Sequence, residues 1–394
     1  RNIMCKEPAV GIIELVAAAN EGDRLKLLND ESVPEGDLDN SIHPIFSDSN
    51  FPGETKHMQQ AFRLASLFIR YDSVLEFFLP LVYGRTLTDH ASKKQYISNP
   101  LASKSDEERA LYFEGVREAL HCLSHCVTFH WVSNTENRLW ARTLLHSPRP
   151  THAPNCTTAF QYDISTLIEL NEKFQQFYDD EETGYRAGTH CDQFRHDFQF
   201  AATLIHELAH AFGIMRRGRL LEPYIRLDHP DNEWGYAWEN FMFGAVINPQ
   251  ERRQPGTHAH LRKIWAHPDF ASQQGGKEYC AIPVSWTAQW FRKETWARIE
   301  KEGPSAISPS VVQLKIVASS KYSRWLVLTD RPETQEAVRK LHDNAVETRA
   351  KAQRTTQEEK ELSRALWRLV DSEELQESNV PIPTRIAPKY QNMS

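Results

Sequence analysis

Apolar positions recur at helical spacing over several long stretches of this chain, while runs that read as strands are few and short. Val10 to Leu28 reads as a short helix, and the Asp-, Glu-, Pro- and Ser-rich connection after it, ending near Pro52-Gly53, as a surface loop. From Glu54 to Phe78 the positions Met58, Phe62, Ala65, Phe68 and Ile69 keep a helical repeat; Ser105 to Cys126 does the same behind an acidic first turn, Asp106-Glu107-Glu108. The Pro-rich string Ser147 to Pro154 cannot sustain regular hydrogen bonding and reads as a loop. Phe160 to Leu170 mixes β-branched and aromatic residues with partial alternation, which predicts a strand. A helix from about Asp192 to Met215 follows, closing near Arg216-Arg217-Gly218. A second is expected to open at Asp228-His229-Pro230-Asp231, with Asp228 as cap, and to run to about Val246. Val311 to Val317 and Trp325 to Thr329 are short strand candidates. Glu333 to Val370 reads as one or two charged helices with Leu362, Leu366 and Leu369 on one face, and Pro381 to Ser394 as irregular tail.

The segment Thr203 to Gly213 places His206, Glu207 and His210 inside a helix that is otherwise apolar, with Ala201, Leu204, Ile205, Leu208, Ala209, Ala211 and Phe212 around them. Residues four apart share a helix face, so two imidazoles can meet one ion, with Glu207 beside them to take a proton from a water molecule. Two histidines and a glutamate on a buried helix are costly unless paired or metal-bound. Core histidines satisfied by ordinary hydrogen bonds are the competing interpretation.

A catalytic zinc ion takes a third protein ligand. The segment Glu233 to Gly244 is its best source, because Gly235, Ala237 and Gly244 permit close approach to the first helix. Glu233 and Glu239 cannot face the same way, since six residues advance a helix by about 600°. Glu233 is favoured as ligand. Glu239 is the alternative third ligand or else the partner of an imidazole N–H, and Asp228 or His229 is a further competitor. For stabilising a developing oxyanion, Tyr224, Arg226, His229 and Tyr236 lie between the two helices, and Tyr236 and His229 rank first.

Composition narrows the classes. With 40% hydrophobic and 25% charged residues over 394 positions, the chain has the profile of a folded globular protein. A net charge of −7 gives no footprint for nucleic acid, and no apolar run is long enough for a membrane span. Six cysteines spread thinly read as mostly reduced thiols, and a cytoplasmic location is expected. The sequon at Asn155 carries little weight alone. His121, Cys122, His125, Cys126 and His130 read as an ordinary, partly buried helix, because the second Cys/His pair of a structural zinc site is missing. There is no Ser nucleophile elbow and no dinucleotide fingerprint.

The string HELAHAFG resembles the active-site helix of zincin metallopeptidases, and HExxH followed by a glutamate on a second helix resembles their gluzincin branch. The pairing with ExGxxWENFxFG is also similar to zincin-like proteins of filamentous fungi. The resemblance covers about 45 residues; it implies zinc-ligand roles for His206 and His210 and a general-base role for Glu207 by motif, and a ligand role for Glu233 by position. The spacer before that glutamate is longer than in familiar gluzincins and the Asn-Glu pair is absent, so no substrate class transfers. The implied fold is α+β: a mostly helical zincin-like core with a small mixed sheet and helical N- and C-terminal elaborations. Its expected division is 1–53, 54–250 for the core, and 251–394. The implied activity is zinc-dependent hydrolysis of a peptide or amide substrate. A zinc enzyme of small-molecule or modified-peptide maturation, and a non-catalytic binding protein, are the alternatives. In that family a strand before the active-site helix pairs with the extended substrate, and Phe160 to Leu170 is the expected one, unless it is an ordinary interior strand.

Overall fold

The computed structural model describes residues 12–53, 55–133, 139–146, 160, 164–249, 259–262, 277–307, 313–319, 324–329 and 331–352. The fold is α+β, dominated by helices, with small sheets. The helices are α1 (Ile12–Ala19), α2 (Gln59–Leu67), α3 (Asp72–Leu75), α4 (Leu79–Tyr83), α5 (Asp106–Cys126), α6 (Lys173–Asp179), α7 (His190–Arg217), α8 (Trp234–Phe243), α9 (Val284–Ala288), α10 (Lys293–Glu302) and α11 (Pro332–Ala352). The strands are β1 (Thr86–Thr88), β2 (Gln95–Ile97), β3 (Val127–Val132), β4 (Ala141–His146), β5 (Ser165–Asn171), β6 (Val246–Pro249), β7 (Ala259–Arg262), β8 (Lys277–Ala281), β9 (Lys315–Ser319) and β10 (Arg324–Leu328).

The centre of the molecule is α7. Thr189 caps it, accepting from the Asp192 backbone N–H while the Asp192 side chain accepts from that of Thr189, and Gly218 closes it behind Arg216 and Arg217. At 28 residues it is about 42 Å long and buried along most of its length. On one side lies the mixed sheet β3-β5-β4, with β5 parallel to β3 and antiparallel to β4. On another, α8 is backed by an aromatic core in which the Phe68 ring meets Trp238 edge-on at 5.3 Å and Phe243 at 5.8 Å, and contacts Trp290 and Trp296. β6 follows α8 directly and forms one edge of the antiparallel sheet β10-β9-β8-β7-β6. A second core joins Leu15, Val16 and Leu27 at the N-terminal end to Tyr279, Ile316, Val327 and Val338 of the C-terminal sheet and α11.

Several expectations change. The helix expected over Glu54 to Phe78 is interrupted: Tyr71 is extended, its ring stacks on Trp296, and the Ser73 hydroxyl donates to the Ile299 carbonyl at 2.7 Å. Packing against α10 therefore overrides local helix preference. The N-terminal helix is shorter than Val10 to Leu28, and the second metal-site helix starts at Trp234. Asp228, expected as its cap, instead pairs with Arg226 at 2.7 and 2.9 Å, and Glu233 takes the capping position. The strand expected from Phe160 is Ser165–Asn171. Cys126, Cys191 and Cys280 are not disulfide-bonded, as expected, and all three are buried; burial pushes the Cys126 thiol up to about 11, but Cys122 is disulfide-bonded. The loop at 147–154, the sequon, residues 311–312 and everything beyond Ala352 lie outside the described residues. Among the described residues no helix is long and apolar enough to cross a membrane.

Two turns before the histidine pair, α7 buries Asp197, whose Oδ1 accepts from the Tyr178 hydroxyl at 2.6 Å and Oδ2 from Tyr185 at 2.7 Å. Burial pushes this carboxyl up to about 7, against the pull of the two phenols. Between about pH 4 and 7 the folded chain thus keeps a proton that the unfolded chain has released. The stabilisation from this group is complete below the ordinary value of 3.8 and is lost as pH rises through 7. Asp197→Asn, neutral throughout, is expected to gain on the wild type by up to about 3 kcal/mol between pH 5 and pH 8 in urea unfolding. A gap that does not change with pH would mean that the folded carboxyl is ionised at both.

Candidate metal centre

His206 and His210 stand one turn apart on α7, with ring centroids 5.1 Å apart. Their Nε2 atoms converge on one oxygen, Glu233 Oε1, at 3.0 Å and 2.7 Å. Each ring is fixed from behind: His206 Nδ1 lies 2.6 Å from Glu239 Oε1, and His210 Nδ1 lies 2.7 Å from Glu222 Oε1. A carboxylate on Nδ1 selects the tautomer that leaves Nε2 able to ligate and stops the ring from turning. The second oxygen of each anchor is also engaged, Glu222 Oε2 accepting from the Trp234 backbone N–H at 2.9 Å and Glu239 Oε2 from that of Ile247.

The return of the chain from α7 to Glu233 is pinned at several points. The Arg217 guanidinium lies over the Trp234 ring at 4.5 Å, the Trp234 indole donates to the Pro223 carbonyl at 2.7 Å, and the Asn232 amide donates to the Glu222 carbonyl at 3.2 Å. Glu233 then caps α8 by accepting from the Tyr236 backbone N–H through Oε2, which turns Oε1 toward the imidazoles. Two glycines allow the approach: a Cβ at Gly213 would fall 2.3 Å from the Trp234 ring, and one at Gly235 would fall 2.3 Å from His206 Nε2.

The electrostatics favour a cation. Burial opposes charge on both rings, yet Glu233 and Glu239 raise His206 well above the ordinary histidine value, and Glu222 with Glu233 raises His210 to about 10. Burial also acts against ionised Glu233, but His206 and His210 outweigh it and hold that carboxyl far below the usual range. Burial pushes Glu239 up. Three carboxylates around two imidazoles thus call for positive charge at the point where the Nε2 atoms meet, supplied either by protons or by a metal ion. Ligand atoms of His206, His210 and Glu233 all lie within 4.8 Å of one another, so the three could hold such an ion. Two imidazoles and a carboxylate suit zinc, among other divalent ions.

Glu207 follows His206 on α7, is 5% exposed, and receives a hydrogen bond at Oε2 from the Thr143 hydroxyl at 2.7 Å. Of the residues considered for an oxyanion, Tyr236 is the one whose ring meets the cluster, 5.3 Å from that of His206. His229 is buried in the preceding turn, its Nδ1 2.7 Å from the Asp231 carbonyl. Tyr224 bridges to Tyr96 of β2, and Arg226 pairs with Asp228. The strand expected to take a substrate also changes. β5 lies between β3 and β4 and has no open edge, whereas β4 carries Thr143 to Glu207 and has β5 on one side and, among the described residues, no strand on the other.

Sequence reasoning missed Glu222 and Thr143. Glu222 left a faint trace as the acid between the two helices next to Pro223; Thr143 left none, because it reaches Glu207 across 64 positions. Comparison with family models, curated proteins and solved structures gives no match.

Two substitutions test this geometry through metal affinity, measured by chelator competition. Glu222→Ala releases both His210 and the Trp234 N–H and is expected to weaken binding about 10- to 100-fold. Gly235→Ala drives a methyl group into the His206 ring and is expected to weaken it at least as much, with the aromatic core behind α8 intact by near-UV circular dichroism. Wild-type affinity in both would show that the two imidazoles are not held as described.

Proposed function

We propose that the protein is a zinc-dependent metallohydrolase that cleaves peptide or amide bonds. The observation that carries this reading is the convergence of the two Nε2 atoms on Glu233 with each Nδ1 anchored by its own carboxylate, next to a glutamate that holds no ligand position. A metal whose role is only structural has no use for Glu207 there, and that favours catalysis over a binding protein. His206, His210 and Glu233 hold the ion. Zinc supplies a Lewis acid that polarises the scissile carbonyl and acidifies water. Glu207 takes a proton from the attacking water and delivers it to the leaving amine nitrogen. β4 offers backbone groups to an extended chain along the edge that no strand covers among the described residues, and Tyr236 stands beside His206 where an oxyanion would need a donor.

Purified wild-type protein is expected to contain zinc at one ion per chain by elemental analysis, and His206→Ala to lose it. Glu207→Gln is expected to keep the metal and to lose about 100- to 10,000-fold in turnover of an internally quenched peptide library. Activity that survives Glu207→Gln rules out the mechanism. Zinc bound without cleavage of any peptide would leave a zinc enzyme acting on another substrate.

A further inference from the structure

We propose that Thr143 of β4 is a positioning residue that sets the aim of Glu207, so that the base is oriented from the strand along which substrate lies. This rests on the hydrolase reading above and deepens it. The Thr143 oxygen is 2.7 Å from Glu207 Oε2 and 3.0 Å from the Glu207 backbone carbonyl. A hydroxyl has one proton to donate. The carbonyl lies within α7, where it takes a helical N–H, and the carboxylate is the stronger acceptor, so the proton goes to Oε2. With Oε2 engaged and no partner for Oε1 among the described residues, the two oxygens are no longer equivalent. Oε1 is the one left to take a proton, and the side chain no longer rotates freely in search of it.

Thr143 is itself held in register. Its Cα partner is Ile168, which is fully buried, and the preceding residue, Arg142, turns to the opposite face and pairs with its own cross-strand partner Glu169 at 2.5 Å. A slip of one residue would put Arg142 or Leu144 opposite Glu207. The hydroxyl therefore sits where it does because both faces of β4 are fixed. A chain added along the edge of β4 that no strand covers among the described residues would stiffen the strand that holds the base and so tie occupancy of the cleft to the orientation of Glu207.

The experiment compares Thr143→Val, nearly isosteric but without the hydroxyl, and Thr143→Ser, which keeps it, in the full chain. Thr143→Val is expected to retain zinc content and melting temperature, to lose about 10- to 100-fold in kcat at unchanged KM, and to be rescued by Thr143→Ser to within about threefold of wild type. Calorimetry with a peptide hydroxamate, whose hydroxyl needs an oriented carboxylate acceptor, should show affinity falling about 10-fold in Thr143→Val. Wild-type kcat in Thr143→Val, or failure of the serine variant to rescue it, overturns the positioning role. If the zinc-loaded wild type cleaves no peptide, the hydrolase reading fails by itself, and the hydroxamate comparison still decides on Thr143: equal affinity overturns its role, weaker affinity supports it.

Discussion

One carboxylate oxygen stands 2.6 Å from His206 Nδ1 and another 2.7 Å from His210 Nδ1, and the remaining geometry of the site follows from these two contacts. An imidazole on a helix can rotate about its χ angles and can present either nitrogen. Holding Nδ1 removes both freedoms, so the entropy that a metal would have to remove on binding is already lost in folding. The same two glutamates use their other oxygens on backbone N–H groups, of Trp234 and Ile247, which ties the rings to the start of α8 and to the strand that follows it.

Charge works with this geometry. Burying several carboxylates together is unfavourable unless each has a partner, and here histidines and backbone donors serve all three. Glu233 is the exception in orientation, because its Oε1 is shared between both rings and belongs to neither. An arrangement in which one oxygen faces two nitrogens that both want to donate or both want to ligate is what a single central cation resolves.

The sequence disclosed the parts of this site that are local and left the rest obscure. The ends of α7 were readable from its Asp192 first turn and the Arg216-Arg217-Gly218 close, and the shared face of His206 and His210 follows from their spacing alone. The different roles of Glu233 and Glu239 were expected, but not for the reason that holds: Glu233 is the extended cap outside α8, so helix geometry does not separate the two, and both carboxylates reach the His206 ring, Glu239 at Nδ1 and Glu233 at Nε2. What could not be read depends on distant contacts. Tyr71 leaves helical geometry because Trp296 waits for it more than 200 positions later, the order of strands around β5 is set by pairing and not by composition, and Glu222 matters only once the linker folds back over Trp234. The capping signal of Asp228, Pro230 and Asp231 likewise set the expected helix start too early, because Asp228 is engaged by Arg226 and Glu233 is the cap.

The hydrogen bond from the Ile247 backbone to Glu239 has a bearing on how far this protein could be shortened. Ile247 belongs to β6, which stays in place by pairing with β7 and through it with the rest of the C-terminal sheet. A fragment ending with α8 would contain His206, His210 and Glu233 and yet lose the donor that steadies the carboxylate behind His206. Engineering a minimal catalytic unit from this chain therefore means keeping the downstream sheet, or else finding a new amide to do the work of one peptide group.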